Sequence, residues 1–305
     1  MGACQSTMTS ERENNSSQAT EFLAYELELH CRCGSDFGFS EDGLRETIER
    51  HGFTPSNNSP NISDYDFFLW ACYNERVTVG IVRYLLEYFP AAANAADGDG
   101  RTPLHMACYN KNVTLQIIQI LVDAAPDSVR TTDNDGWVPL HDLCANKTLD
   151  EVTKMEVLKL LLELHPEAIR IADNDDGYLP THVAANHSGS PEFCGVLIDA
   201  YPGSERITTS DGLLSLHRAC NHNTVATVEY LYKLYPNAIN HATIDGAYPI
   251  HYAIRNSDTP TAAVEIVQFL LNCDPNVILQ KSEGTISLLH FACCPNIEAG
   301  IQVTR

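Results

Sequence analysis

Six histidines recur almost in phase along the chain: His105, His141, His182, His217, His251 and His290, at intervals of 36, 41, 35, 34 and 39 residues. Imidazoles brought to one point bind metals or move protons. A regular spacing argues against such convergence when it marks successive copies of one small unit. Copies stacked about 10 Å apart lie far beyond the ~2 Å reach of a metal–nitrogen bond. The thiols follow the same phase. Cys72, Cys108, Cys144, Cys220 and Cys293 stand three residues after the histidine slot, where the other copies have Ala185 and Ile254. A position that accepts Cys, Ala and Ile wants a small buried apolar group. Neighbouring copies are also too far apart for the ~5.5 Å Cα separation of a disulfide. Neither series is expected to form a metal or catalytic site.

Other chemistry-bearing clusters are weaker. His30-Cys31-Arg32-Cys33 is a compact thiol–imidazole group, but no second Cys/His pair follows at a zinc-finger spacing. The acidic runs Asp97-Gly98-Asp99-Gly100 and Asp173-Asn174-Asp175-Asp176-Gly177 lack the terminal glutamate of a calcium loop and read as turns. There is no phosphate-cradling loop and no nucleophile elbow. No catalytic residue, cofactor or metal is expected. The N-terminus is different. Met1-Gly2-Ala3-Cys4-Gln5-Ser6 fits an N-myristoylation pattern, with Gly2 as acceptor. One myristoyl chain holds a membrane weakly. Arg12 is the only basic residue among the first twenty, so a palmitoyl group on Cys4 would have to supply the second signal.

The elements that carry these residues are repeats. One phrase reads Thr102-Pro103-Leu104-His105, Val138-Pro139-Leu140-His141, Leu179-Pro180-Thr181-His182, Leu214-Ser215-Leu216-His217, Tyr248-Pro249-Ile250-His251 and Ser287-Leu288-Leu289-His290. An earlier, degraded copy has Leu69 in the histidine slot, and its Ala71-Cys72-Tyr73-Asn74 matches Ala107-Cys108-Tyr109-Asn110. Prolines 90, 126, 166, 202, 236 and 275 keep the same phase after apolar periodic segments. So do Gly100, Gly136, Gly177, Gly212 and Gly246, five residues before the first five histidines, while Gly284 stands six before His290. Each unit thus reads as a turn with glycine at positive φ, an N-cap such as Thr102 with proline in the first helical position, a short helix, a polar break, and a second helix. The second helix is periodic, as in Ile117, Ile118, Leu121 and Val122, and the proline stops it. Helices this short are marginal alone and become stable by stacking.

The turn, the Thr-Pro-Leu-His phrase, the helix pair and the period resemble the ankyrin repeat family over residues 62–305. The resemblance implies an all-α fold, an α-solenoid of about seven stacked helix-turn-helix repeats with β-turn or hairpin tips, the last unit incomplete at Arg305. It implies that the repeated histidine is a structural hydrogen-bonder tying the turn to a neighbouring repeat. The chain departs from the family where a proline such as Pro126 replaces the usual Gly-Ala. It departs again in insertions before Lys154 and near Ser257 to Thr261.

Ahead of the repeats, residues 1–20 are polar and aperiodic and read as a disordered tail. Residues 21–61 hold two helices, Glu21 to Leu29 and Glu41 to about His51, the second capped by Ser40 and stopped by Gly52. They are expected to cap the first repeat, with Asn57 to Asn61 as linker.

The chain carries 40 acidic and 19 basic residues, a net charge of −21. Such a surface repels phosphate backbones and excludes nucleic acid as the expected partner. Ankyrin-like proteins bind other proteins on turn tips and exposed first-helix faces, so the resemblance implies an interaction scaffold or adaptor and no enzyme. The tip residues Asp99, Arg101, Asp135, Trp137, Asp175, Asp176 and Tyr178 form the expected partner-binding set, extended by Tyr109 and His222. Aromatics inside an acidic rim suit a basic segment. A regulatory fragment or subunit of a larger multidomain enzyme is the alternative. The eleven cysteines without a secretory leader point to reduced thiols and a cytoplasmic chain, at a membrane surface only through the acylated N-terminus. A monomer is expected.

Overall fold

Five of the histidine phrases, those ending at His105, His141, His182, His217 and His251, start a helix by satisfying a backbone N–H at its first turn. In the computed structural model Thr102 is extended, Pro103 needs no acceptor, and the Thr102 backbone N–H donates to His105 Nδ1 at 3.1 Å. The same bond recurs from Val138 to His141 (3.2 Å), Leu179 to His182 (3.1 Å), Leu214 to His217 (3.1 Å) and Tyr248 to His251 (3.0 Å). Val138, Leu179 and Leu214 have no side-chain acceptor, so the histidine ring does the capping that a threonine shares at position 102.

The structure describes residues 20–32, 39–52, 65–187, 190–256 and 260–279. Gly2, Cys4, Cys33, the linker Asn57 to Asn61 and the phrase ending at His290 lie outside them. The described helices are α1 (20–32), α2 (Glu41–Arg50), α3 (Asp66–Tyr73), α4 (Val79–Tyr88), α5 (Pro103–Tyr109), α6 (Leu115–Ala124) and α7 (Pro139–Ala145). They continue as α8 (Glu151–Leu164), α9 (Pro180–His187), α10 (Pro191–Ala200), α11 (Ser215–His222), α12 (Val225–Leu234), α13 (Pro249–Arg255) and α14 (Pro260–Cys273). No strand forms among the described residues. The fold is all-α and built of ankyrin-type helix pairs, as the phrases imply.

Two compact units are distinguished, Met1–Asn134 with Leu149–Val157, and Asp135–Thr148 with Leu158–Arg305. In the first, α3 packs on α5 and α4 on α6. In the second, α7, α9, α11 and α13 stack in order, and α10, α12 and α14 form the parallel row. First helices approach closely because small side chains line the contact. Ala71, Cys72, Ala107, Cys108, Ala184, Ala185, Ala219 and Cys220 are fully buried. Second helices bury one stripe, as Ile117, Ile118, Leu121 and Val122 do in α6, while Gln116, Gln119 and Asp123 face water. Their starts carry caps that the repeat phrase does not announce: Thr78, Thr114, Ser190 and Thr224 hydroxyls accept the N–H three residues on.

The prolines do more than stop helices. Pro90, Pro126, Pro166, Pro236 and Pro275 each begin a 3-10 turn, such as Pro126–Arg130. Proline forces the preceding residue out of the helical region, so Ala125 sits at φ −139°, ψ 78°. The chain then turns with Ala or Val buried beneath it: Ala92, Val129, Ala168 and Ala238.

Asparagine side chains staple several repeats to the one before. The Asn110 side-chain amide donates to the Cys72 and Asn74 carbonyls at 2.8 and 2.9 Å, and the Asn223 amide to the Ala185 carbonyl at 2.8 Å. The Asn74 amide makes the same bond to the Cys31 carbonyl at 2.8 Å. Helix α1 therefore stands to α3 as α3 stands to α5, with buried Cys31 matching buried Cys72. Helix α2 is capped by Ser40, whose hydroxyl accepts the Gly43 N–H at 3.1 Å, and it ends before Gly52, which has φ +80°.

Candidate protein-binding surface

The turn tips are knotted by their own first acidic or hydroxyl residue. Asp97 Oδ1 accepts the N–H groups of Asp99 (3.0 Å) and Arg101 (2.9 Å). In the second unit Asp173 Oδ1 accepts those of Asp176 (3.1 Å) and Tyr178 (2.9 Å). The Thr209 and Thr243 hydroxyls play that part for Leu213 and Ala247. Successive tips are joined through the backbone, Asn134 N–H to the Asp99 carbonyl at 2.9 Å and Asn174 N–H to the Asp135 carbonyl at 2.8 Å. The close approach requires glycine: a Cβ on Gly136 (φ +84°) would stand 2.9 Å from Asn174 N.

Of the tip candidates, Asp99, Asp135 and Asp175 are exposed, and Asp176 is half-buried. Arg101 is committed, its guanidinium donating to Asp97 at 2.9 Å and to Asp99 at 2.8 Å. Trp137 is half-buried and stacks on the His141 ring, centroids 5.6 Å apart. His141 Nε2 donates to the Tyr178 carbonyl at 3.3 Å, so the structure links Trp137 and Tyr178 through the histidine between them. Tyr178 meets His182 edge-on at 6.0 Å, and its face is covered by Arg218 at 4.3 Å. Arg218 is half-buried; burial lowers its pKa, while Tyr252, Asp176 and Asp173 raise it.

Tyr109 and His222 stand at the opposite ends of α5 and α11 from the tips. Tyr109 closes α5, whose seven residues separate it from the Asp99–Arg101 turn by about 10 Å. His222 closes α11, hydrogen-bonded to Asn221 at 2.6 Å. Tyr109 instead belongs to an aromatic row in the first unit. Its ring stacks on Tyr73, centroids 6.4 Å apart at 12°. Tyr73 meets Trp70 edge-on at 6.0 Å, and the Arg32 guanidinium lies 4.8 Å above the Trp70 ring. Tyr73 and Tyr109 remain 42% and 48% exposed, which is unusual for large rings in register. The matching phrases at 71–74 and 107–110 carried this signal, because identical repeat positions share one face. Arg32, Trp70 and Tyr73 edge a cleft of about 370 Å³.

The repeated imidazoles are scaffold. Nδ1 accepts the capping N–H, which leaves the proton on Nε2, and Nε2 donates to the next repeat: His182 to the Ile207 carbonyl at 3.0 Å, His217 to the His241 carbonyl at 3.1 Å. Burial pushes the pKa of His182 down to about 4 and that of His217 down to about 3. His30 is hydrogen-bonded to Thr47 Oγ1 at 3.0 Å and Cys31 is buried. Among the described residues no group of three His, Cys, Asp or Glu is placed to hold a metal, and no helix is long and apolar enough to cross a membrane.

No curated protein sequence matches the chain. A chain from the solved complex of the predatory endopeptidase Bd0816 from Bdellovibrio bacteriovorus with immunity protein Bd3460 shares the fold. Its TM-score is 0.52 at 17% identity, covering 66% of this chain and 96% of that one. A model of ankyrin repeats, three copies in length, matches residues 48–130, 68–167 and 181–279. With the histidine caps, asparagine staples and paired helices in place over well over half of its length, the chain belongs to the ankyrin repeat family.

Proposed function

We propose that this chain is a non-catalytic scaffold that holds a partner protein, with the exposed tip carboxylates drawing a basic segment of that partner. Ankyrin repeats are protein-interaction scaffolds and are typically non-catalytic. The carrying observation is the division of labour at the tips. Asp97 and Asp173 are spent on the turn and Asp99 is paired with Arg101, while Asp135 and Asp175 of the second unit are exposed on a chain of net charge −21. Exposed carboxylates in series steer a cationic partner and set its register, and they disfavour nucleic acid. Acylation at Gly2 and Cys4 would hold this cytoplasmic scaffold at a membrane surface.

Affinity capture from native cells, with partners read by mass spectrometry, tests the reading. Asp135→Lys combined with Asp175→Lys should lose the principal partner, because both side chains are exposed and reversing their charge repels a basic segment. Retention of every partner by that variant would overturn the tip assignment. The tether is tested separately by labelling with a myristate analogue: label on the wild type and none on Gly2→Ala supports it, and equal labelling sinks it.

A further inference from the structure

The geometry points to a second docking site of opposite sign in the first unit. The cleft between the ends of α1 and α3 receives an acidic segment of a partner protein. A carboxylate meets Arg32 and Arg76 while a flat apolar side chain lies on Trp70 and Tyr73. The site is distinct from the tips, and it stands or falls without them.

Two lining arginines set the sign. Arg32 is oriented in advance. It stacks 4.8 Å above Trp70 and gives one N–H to Glu28 at 3.1 Å, which leaves most of its five-donor fork open. The Arg76 side chain is exposed, and among the described residues its guanidinium has no ion-pair partner; only its backbone N–H is held, by Asn74 Oδ1 at 2.8 Å. The carboxylate at the rim, Glu75, is already neutralised by Lys111 at 2.7 Å. Asn74 gives one amide N–H to the Cys31 carbonyl, which fixes its side chain at the cleft wall. A cationic ligand would face two guanidinium groups, one of them unmatched. An anionic one finds the bidentate geometry arginine supplies best.

The rest of the molecule is acidic, yet at physiological salt exposed charges are screened beyond about 8 Å, so the local arginines decide. The aromatic walls fit the apolar half of the ligand. Tyr73 and Tyr109 are exposed in register, and rings that face water in series bury area cheaply on docking. A cleft of about 370 Å³ takes one or two side chains and not a folded domain, which makes the occupant a segment.

The test is selection of random dodecapeptides on the full chain, displayed on phage, in parallel with Arg32→Gln/Arg76→Gln. The chain has two tryptophans, so two indole N–H signals appear by NMR, and the one lost in Trp70→Phe is the reporter. Expected are peptides that pair Asp or Glu with an aromatic residue, that move the Trp70 signal and spare that of Trp137. They should bind Arg76→Gln about tenfold more weakly at an unchanged melting temperature. Asp135→Lys, which probes the tips, leaves their affinity as it was. Basic or neutral consensus peptides, no enrichment, or equal enrichment on the double variant would each overturn the site. So would a Trp70 signal that moves with single-stranded oligonucleotide and with no acidic peptide.

Discussion

The Asn110 side chain holds the Cys72 carbonyl at 2.8 Å across 38 residues of sequence, while its own Oδ1 accepts the Asn112 N–H at 2.8 Å. One buried amide thus closes the end of α3 and opens the loop after α5. Asn110→Ala strands two buried carbonyls and should cost about 2–4 kcal/mol of unfolding free energy, read from urea denaturation. Asn112→Ala removes one exposed amide bond, to the Glu75 carbonyl at 2.8 Å, and should cost no more than about 1 kcal/mol. Equal effects from the two substitutions would remove the staple from the account.

The buried histidines make the fold acid-sensitive in a defined window. The pKa is about 4 for His182 and about 3 for His217 in the native chain, below the ordinary 6.5. Above pH 6.5 both folded and unfolded rings are neutral and their stability is fully present. As pH falls below 6.5 the unfolded rings take protons that the native ones refuse. Stability then falls by about 1.4 kcal/mol per pH unit for each histidine until the native pKa is reached. Melting temperature against pH should therefore drop between pH 6.5 and 5, before most carboxylates titrate. His217→Gln should flatten that limb; an unchanged slope would rule the ring out as its source.

The thiols should be inert while the chain is folded. Cys31, Cys72, Cys108, Cys144, Cys194 and Cys220 are buried, and burial pushes the Cys31, Cys72 and Cys220 pKa values up, away from the reactive thiolate. Iodoacetamide on the native chain, followed by peptide mass spectrometry, should modify Cys273 ahead of all six, since it alone of the seven is partly exposed. Rapid native labelling of Cys72 or Cys220 would show that the small-residue contacts between first helices open on the labelling timescale.

What the sequence made legible was local chemistry repeated. The Thr102 to His105 phrase carries its own capping geometry, so each copy could be read without knowledge of its neighbours. The five tip glycines, at φ between +72° and +84°, were legible for the same reason. Contacts between copies were not. Asn110 looks like an ordinary loop residue until Cys72 is known to lie beside it. Pro126 reads as a helix stop, and only the backbone at Ala125 shows that it also opens a 3-10 turn. Tyr109 reads as the end of a first helix, but the register does not give how far that end stands from the tips, which the seven residues of α5 set. Arg218 escaped altogether. Nothing in its own phrase distinguishes a solvated arginine from one that reaches across to the tyrosine of the preceding tip.

That arginine gives the sharpest test of the tip surface. Arg218 lies 4.3 Å from the Tyr178 ring centre, with Asp173 and Asp176 adding to its local field, so the anchor expected to take a partner's basic side chain already holds one from its own chain. A half-buried cation–π pair contributes about 0.5–2 kcal/mol. A double-mutant cycle on Arg218→Gln and Tyr178→Leu should return a coupling in that range, and a coupling near zero would mean that the two groups merely lie close. The functional consequence runs the other way from the stability one. Arg218→Gln uncovers the ring and removes one positive charge beside two carboxylates, so a basic partner captured at the tips should bind severalfold more tightly to a less stable chain. If capture weakens in step with stability instead, Tyr178 belongs to the scaffold, and recognition at the tips rests on Asp135 and Asp175 alone.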